Sequence, residues 1–336
     1  MTGVGMVSTL APGPPPQPPG ESPDLDPGGR GCERTSRTLA REWPGESRVL
    51  TAMRTRPSST AGQNPWVLFV EAFLVVNAVA AVISLTLAPG SERWFTWTVV
   101  PDASARLLAV MYANAIVLGV LALRQPDWAH ARVVFVLITT FALAATVMTL
   151  FNLGPFRAHP WYHLAYWLSG YGVLVLTAPP VLVWQERLHG GRLAVDVPLS
   201  AYQRASAGGA AAAMAAAGVT ALAAPGTFSD AWPWVVAPLT ARLLGVWLCA
   251  FAVAYLWALW DGDRDRARPL FVAAPVTGVL LALVPLAHTG DLRPGPGAGL
   301  AVYYALTVLV AAPGLGLLPA LSGRAAPAPG GAGGRT

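Results

Sequence analysis

The sequence predicts an all-α transmembrane helix bundle of eight spans, built as two parallel four-helix repeats with both termini in the cytoplasm. Apolar residues make up 54% of the 336-residue chain and charged residues only 12%, about half the share found in soluble proteins. Long apolar runs follow one another from residue 65 onward, and the chain repeats itself at a fixed offset. A surface with so little charge cannot face water, so the sequence predicts an integral membrane protein.

Both ends of the chain differ from its apolar middle. Residues 1–64 are rich in proline and glycine and cannot bury a core, so we expect a disordered cytoplasmic tail. This tail contains no apolar segment of the kind that signal peptides carry. Met53 precedes Arg54 and Arg56 shortly before the first apolar run, which makes it a candidate for the native start. Residues 323–336 are predicted to form a second disordered tail.

Eight apolar runs have the length of about 20 residues that a helix needs to cross a bilayer. They are continuous rather than alternating, which excludes the strands of a membrane barrel. A helix satisfies its own backbone hydrogen bonds in lipid, so each run is predicted to be helical. The predicted spans are residues 65–88, 104–123, 132–153, 161–184, 205–224, 235–259, 269–288 and 298–321.

Arginine supplies all 22 basic residues of the chain and indicates its orientation. The two termini and the connections after the second, fourth and sixth spans hold 17 arginines, and the other connections hold 5. Without the N-terminal tail the difference is still 10 against 5. Arginine is concentrated on the cytoplasmic side of membrane proteins, so we expect both termini there. We call the arginine-rich side the inner end and the opposite side the outer end.

A shift of 136 residues aligns 88–165 with 224–301 without a gap and gives 24 identities in 78 positions. The matches include turn residues and charges, which apolar composition does not explain. Among them are Pro89-Gly90 with Pro225-Gly226, Arg106 with Arg242, Asp127 with Asp263, and Arg132 with Arg268. Because four spans is an even number, the two copies cross the membrane in the same sense. The predicted repeats are residues 65–190 and 191–322.

The fifth span, Ser206 to Ala224, consists almost entirely of alanine and glycine. Small residues let helix backbones approach closely. We therefore expect this span to lie inside the bundle, at the seam between the two repeats.

Arg106 and Arg242 begin the second and sixth spans at the outer end, where arginine is disfavoured. Planar guanidinium groups suit bidentate binding of a phosphate or carboxylate, so the pair is a candidate anion site. Arg157 and Arg293 repeat the pattern in the next outer connection of each repeat. Alternatively, these side chains reach the lipid headgroups or pair with nearby acids. The nearby acids are Asp102 and Asp230.

Glu71 is an acidic residue well inside a predicted span. An ionisable group within the membrane is a candidate for proton or ion coupling. However, Glu71 lies near the inner end and its repeat counterpart is Ala207. A local ion pair, for example with Arg132, is the alternative.

His159, His163 and His288 lie at the outer end and form a weak candidate site for a metal or haem iron. Pro160 interrupts the first pair, and neither of its members has a histidine at the equivalent position of the second repeat. An interfacial position is therefore the better interpretation, and the sequence predicts no metal and no cofactor.

Further polar and aromatic residues lie at the predicted membrane boundaries. The acids and arginines from Asp261 to Arg268 alternate, which predicts a solvated and self-paired inner loop. Tryptophans at the span ends are predicted to be interfacial anchors. These are Trp94, Trp97, Trp161, Trp232 and Trp234 at the outer end, and Trp128 and Trp260 at the inner end.

The stretch from Trp232 to Arg242, with a weaker echo from Trp97 to Arg106, resembles a motif in multi-span membrane proteins of high-GC bacteria. That family has no assigned activity. The resemblance covers one outer segment and the helix after it. Because arginine is the only basic residue and alanine, glycine and proline are abundant, the composition indicates a GC-rich bacterial gene, so we expect a location in the bacterial plasma membrane.

Function is less determined than architecture. The preferred hypothesis is a permease or small-solute carrier that recognises an anionic group at its outer face. One alternative is a membrane protein that binds lipid or a protein partner without transport, and another is an intramembrane redox or acyl-transfer enzyme. The chain has no lysine for a Walker motif and no common hydrolase motif, so no enzyme class is favoured. No basic stripe favours nucleic acid, so the predicted partners are membrane lipid, an anionic small molecule or a lipid headgroup.

Overall fold

A computed structural model describes residues 63–86, 95–157, 160–189, 191 and 193–317 of the chain. Residues 1–62 of the first predicted tail, the whole of the second, Trp94 and His159 lie outside the described residues, as do Met53 and the side chain of Arg157.

Eight long helices form the described part of the chain, and all are long and apolar enough to cross a membrane. This confirms the predicted all-α bundle of eight membrane spans. We number the long helices in chain order and leave the short helical turns between them unlabelled. They are α1 (Pro65–Thr86), α2 (Asp102–Leu123), α3 (Trp128–Phe151), α4 (Trp161–His189), α5 (Ala201–Ala223), α6 (Pro238–Asp261), α7 (Arg264–Ala287) and α8 (Gly297–Leu315).

Helix α3 begins four residues before the predicted span and α7 begins five residues before. The reason is a capping carboxylate at the same position of each repeat. Asp127 accepts a hydrogen bond from the backbone N–H of His130, and Asp263 accepts from the N–H groups of Asp265 and Arg266. Such caps satisfy N–H groups that the first helical turn leaves unpaired. They let each helix start within a polar segment that hydropathy assigns to a loop.

Four helices form the centre of the bundle and four surround them. In α2, α3, α6 and α7, between 50 and 67% of the most apolar window is buried, against 28 to 33% in α1, α4, α5 and α8. At the centre, α3 packs against α6 and α7, and α2 packs against α7. At the periphery, α1 packs against α2 and α4, and α5 packs against α6 and α8. Each helix from α5 to α8 begins 136 residues after its counterpart in the first four.

The predicted position of the small-residue span is wrong. Helix α5 packs against α6 and α8 and lies at the periphery rather than at the seam. Its small residues do serve close packing, because Gly218 crosses Gly245 of α6. A Cβ atom on Gly218 would lie 3.0 Å from the carbonyl oxygen of Gly245 and 2.7 Å from Sγ of Cys249. Small residues thus indicate that a helix approaches a neighbour closely without indicating which neighbour.

A buried ion network joins the two halves of the bundle at the inner end. Arg132 of α3 is 1% exposed and donates to the carboxylate of Asp261 at the end of α6. Arg266 of α7 donates to the same carboxylate from Nε at 2.8 Å and from Nη2 at 3.1 Å. Glu186 of α4 lies 3.7 Å from Arg132. Helices from both halves therefore share one set of charges.

Asp263 fixes the connection before α5 to the start of α7. Its carboxylate accepts hydrogen bonds from the backbone N–H groups of Asp196 and Val197 as well as from that of Arg266. Burial acts to raise the pKa of Asp263, but these amides and the Arg266 charge outweigh it and hold the pKa below its ordinary value of 3.8. The prediction of a solvated inner loop is therefore wrong, since Asp261, Asp263 and Arg266 are all buried.

The predicted role of most end tryptophans is also wrong. Trp97, Trp232 and Trp234 are at most 6% exposed, as is Trp128 at the inner end. They pack against other aromatic side chains, and Nε1 of Trp234 donates to Oγ of Ser104 across the two halves. Trp161 is 79% exposed and Trp260 is 45% exposed, so these two have the exposure that an anchor requires.

Candidate functional site

Arg106 and Arg242 each bind a neighbouring helix end. Nη1 of Arg106 donates to the carbonyl oxygens of Leu85 at 3.0 Å and Thr86 at 2.7 Å, the last two residues of α1. Helix carbonyls at this position lack partners within the helix, and a cation there is favourable. Nη1 of Arg242 donates to Oδ1 of Asn152, directly after α3, at 2.6 Å. Both arginines thus bind these oxygen atoms rather than Asp102 or Asp230, the acids expected as alternative partners.

Arg293 links two outer connections of the second half by hydrogen bonds. Its Nη2 donates to the carbonyl oxygen of Ser229 at 2.9 Å, and its backbone N–H donates to that of Pro233. Its Nη1 lies 3.8 Å from the carboxylate of Asp230, which is the acid pairing predicted as the alternative. None of the cavities described below is lined by an arginine.

Glu71 is fully buried in α1, and neither of its carboxyl oxygens has a hydrogen-bond partner among the described residues. The proposed local pair with Arg132 is wrong, because that guanidinium binds Asp261 and lies beside Glu186. Glu71 thus remains an intramembrane carboxyl group that the packing of the bundle does not explain.

The outer histidines have local partners. Nδ1 of His163 lies 2.9 Å from the carbonyl oxygen of Phe95, and Nδ1 of His288 lies 3.9 Å from the carboxylate of Asp291. Within the described residues, no group of three or more histidine, cysteine, aspartate or glutamate side chains is arranged to hold a metal ion.

Two grooves open on the lateral surface of the bundle, each between two peripheral helices. The first groove lies between α1 and α4 and has a volume of about 290 Å³. The second groove lies between α5 and α8 and has a volume of about 380 Å³. The first groove is lined by Phe73, Val76, Asn77, Ala80, Tyr166, Ser169, Gly170 and Val173. The second groove is lined by Ala213, Ala217, Thr220, Thr227, Phe228, Ala231, Trp232, Val302, Ala305, Leu306 and Leu309.

The two grooves occupy equivalent places in the duplicated sequence. Five residues that line the first groove have counterparts 136 positions later that line the second. The pairs are Asn77 with Ala213, Tyr166 with Val302, Ser169 with Ala305, Gly170 with Leu306, and Val173 with Leu309. The groove therefore recurs at matching positions of the two halves.

Each groove has a smaller void behind it. Behind the first groove, two voids of about 10 Å³ are lined by Asn77, Tyr112 and Tyr171, and the two tyrosine hydroxyl oxygens are 2.7 Å apart. Behind the second, an apolar cavity of about 40 Å³ is lined by Leu248 and Thr307, the counterparts of those tyrosines. Both halves therefore have a void behind the groove, and the voids of the first half are the more polar.

No family model matches the chain, and no curated protein and no solved structure matches it. The resemblance to multi-span proteins of high-GC bacteria stays a prediction, and the grooves have to be interpreted from their own chemistry.

Sequence reasoning missed both grooves. A groove forms where residues of two helices distant in sequence fail to fill the space between them, which no single span reveals. One signal was present: Asn77, Tyr112 and Tyr171 are polar groups near the middle of predicted spans. Such groups need partners in lipid and mark a site.

Proposed function

We propose that this integral membrane protein binds a lipid or a lipid-like amphipathic molecule in its two lateral grooves, in the plasma membrane of a bacterium. The recurrence of the groove at equivalent positions carries the proposal. Volumes of about 290 and 380 Å³ are near the lower end of the range of ligand sites. Their predominantly apolar lining faces the hydrocarbon region between membrane-spanning helices, where a hydrocarbon chain is the available occupant.

The proposal is tested with a phosphatidylcholine that carries a photoreactive diazirine on one acyl chain. We expect labelling of the groove residues Ala217 and Leu309 to exceed that of Leu256, an exposed residue of α6 outside both grooves. Ala217→Phe fills the second groove and should reduce its labelling at least fivefold. Ala212→Phe adds the same ring on an exposed position of α5 outside that groove and should leave the labelling unchanged.

Uniform labelling of every exposed helix face would contradict the proposal. Equal reductions of labelling by Ala217→Phe and Ala212→Phe would also contradict the proposal, because the effect would then be independent of the groove.

A carrier for an anionic solute is the second candidate function. The buried carboxyl group of Glu71, which lacks a partner among the described residues, favours it, because such a group can couple transport to a proton. Arg106 and Arg242 would meet the anion at the outer end. A screen of carboxylates and phosphates for thermal stabilisation of the purified protein tests this function. If the protein is such a carrier, one of these anions should raise the unfolding temperature. This stabilisation should be lost in both Arg106→Ala and Arg242→Ala.

A further inference from the structure

We propose that Arg124, directly after α2, and Arg268 of α7 bind the phosphodiester group of an anionic phospholipid at the inner end of the bundle. Both side chains are exposed, and neither has a hydrogen-bond or ion-pair partner among the described residues. The two arginines line neither lateral groove, so this site is independent of the proposed function.

The two arginines occupy positions equivalent to those of a cation–π pair between α3 and α6. At the offset of 136 residues, Arg268 corresponds to Arg132 and Arg124 corresponds to Trp260. Helix α7 packs against α2, and its counterpart α3 packs against α6, the counterpart of α2. Cζ of Arg132 lies 5.8 Å from the ring centroid of Trp260. The equivalence therefore places Arg124 beside Arg268.

The cavity behind the second groove shows that the two arginines lie at the same depth. Met111 of α2 and Leu281 of α7 both line this cavity. The second and seventh spans cross the bundle in opposite directions. Arg124 follows Met111 by 13 residues, and Arg268 precedes Leu281 by 13 residues. Both positions are thus about 20 Å along their helices from the cavity, at the same end of the bundle.

The equivalent arginine has acidic partners that this pair lacks. Arg132 binds the carboxylate of Asp261 and lies 3.7 Å from that of Glu186. The corresponding positions for the pair hold Gln125 and Ser322, which carry no charge. The chain therefore has two arginines here, where the equivalent place has one arginine with two acids.

The acids closest in sequence to the pair already have partners. Asp127 lies 2.7 Å from Nδ1 of His130, and Asp265 lies 3.5 Å from Nε of Arg264. The side chain of Gln63 donates to two carbonyl oxygens at the end of α2. Neighbouring guanidinium groups without a counter-ion repel each other, so an anion that bridges them is favoured.

A phosphodiester fits this pair, and the adjoining helix face indicates that it belongs to a lipid. Guanidinium groups bind phosphate oxygens through two parallel hydrogen bonds. Val272, Val276 and Val279 follow Arg268 on the same face of α7, and all three are exposed. A phospholipid whose phosphate binds the arginines can extend an acyl chain along these valines toward the middle of the membrane. Free phosphate makes no use of that face.

Native mass spectrometry of the full-length protein tests the inference with two lipids that share their acyl chains. These are dioleoylphosphatidylglycerol, which is anionic, and dioleoylphosphatidylcholine, which has no net charge. The Kd of phosphatidylglycerol should be at least about tenfold lower, because each arginine at a membrane surface favours anionic lipid. In the double variant Arg124→Gln/Arg268→Gln, the Kd of phosphatidylglycerol should rise about tenfold, and that of phosphatidylcholine should not change.

The matched control is the double variant Arg187→Gln/Arg204→Gln. It removes two other exposed arginines at the inner end, on α4 and α5, and so lowers the net charge by the same amount. Its Kd for phosphatidylglycerol should change less than about twofold, because salt screens charges that do not contact the lipid. Equal losses in the two double variants would overturn the inference, since binding would then follow net charge alone.

Gln125→Asp is a second variant, which keeps both arginines and supplies the acid that stands at position 261. It should also weaken phosphatidylglycerol and leave phosphatidylcholine unchanged. Equal Kd values for the two lipids in the unmodified protein would overturn the inference. Displacement of phosphatidylglycerol by an equal concentration of inorganic phosphate would overturn it too, because the site would then prefer a soluble anion.

Discussion

At the scale of single residues, Asp261 is the centre of the inner end. It is 6% exposed and receives hydrogen bonds from Arg132 and Arg266, which belong to different halves. Removal of one member of a buried ion network leaves charges without compensation, which costs far more than loss of an exposed pair. The stability of the bundle should therefore depend strongly on this one carboxylate.

Asp261→Asn should lower the free energy of unfolding by about 3 kcal/mol, because two buried guanidinium groups lose the carboxylate that they share and keep only the more distant Glu186 and Asp263. The measurement is chemical or thermal unfolding of purified protein. Asp265→Asn is the matched control, since Asp265 pairs with Arg264 at the surface and should cost under about 1 kcal/mol. Equal losses in the two variants would argue against a stabilising role of the inner network.

Asp263 should make stability depend on pH in the acid range. Its pKa is lower in the folded chain than the ordinary 3.8, so its contribution is fully present above that value. The contribution is lost as pH falls through the lowered pKa of the folded state. Unfolding measured from about pH 6 downward should show a loss of stability that is smaller in Asp263→Asn. Parallel curves for the two proteins would contradict this assignment.

Residue roles were only partly predictable from the sequence. The position of Arg106 at the outer end of a helix is visible in the sequence, but its binding to the last carbonyls of α1 depends on how two helices cross. Likewise, the burial of Arg132 depends on Asp261, which lies 129 residues away. Hydropathy evaluates each charged residue separately, so it does not indicate that Arg132 and Asp261 are buried as a pair.

At the scale of helices, the crossing of α5 and α6 depends on glycine. The backbones meet at Gly218 and Gly245, where a Cβ atom on either residue would come within 3.0 Å of the opposite helix. Gly209 lies on the same helix at an exposed position, where an added Cβ would be 4.0 Å from Leu309, an ordinary van der Waals contact. The two glycines of α5 therefore have different roles.

Gly218→Ala should destabilise the protein by about 1–3 kcal/mol, because the two helices must move apart. Gly209→Ala should be neutral or stabilise by up to about 1 kcal/mol, because alanine favours helix and its Cβ atom clashes with no neighbour. Thermal unfolding of both variants distinguishes these signs. Stabilisation by Gly218→Ala would contradict the close crossing.

Helix positions followed well from hydropathy, and helix neighbours did not. The starts of α1 and α4 coincide with the predicted Pro65 and Trp161, because the apolar runs begin sharply there. By contrast, α5 was expected at the seam from its small residues, and it lies at the periphery. The composition of a helix indicates how closely it can approach a neighbouring helix. Which helix is the neighbour depends on the packing of the whole bundle.

At the scale of the whole molecule, the orientation predicted from arginine is open to direct measurement. Single cysteines at Ser200 and Thr289, in a chain whose Cys32 and Cys249 are replaced by serine, mark the inner and outer ends. In intact bacterial cells, a membrane-impermeant maleimide should label Thr289→Cys and not Ser200→Cys. Labelling after cell lysis should reach both, and the reverse pattern in intact cells would place both termini outside.

The two ends of the bundle are joined by different kinds of bond. At the outer end, the hydrogen bonds between the halves are neutral or involve one charge, as between Ser104 and Trp234 or between Asn152 and Arg242. At the inner end, two guanidinium groups bind one buried carboxylate. Separating the halves at the inner end exposes several opposite charges at once, while parting them at the outer end breaks bonds that water readily replaces. Any rocking of one half against the other would therefore pivot at the arginine-rich end and spread widest at the opposite end.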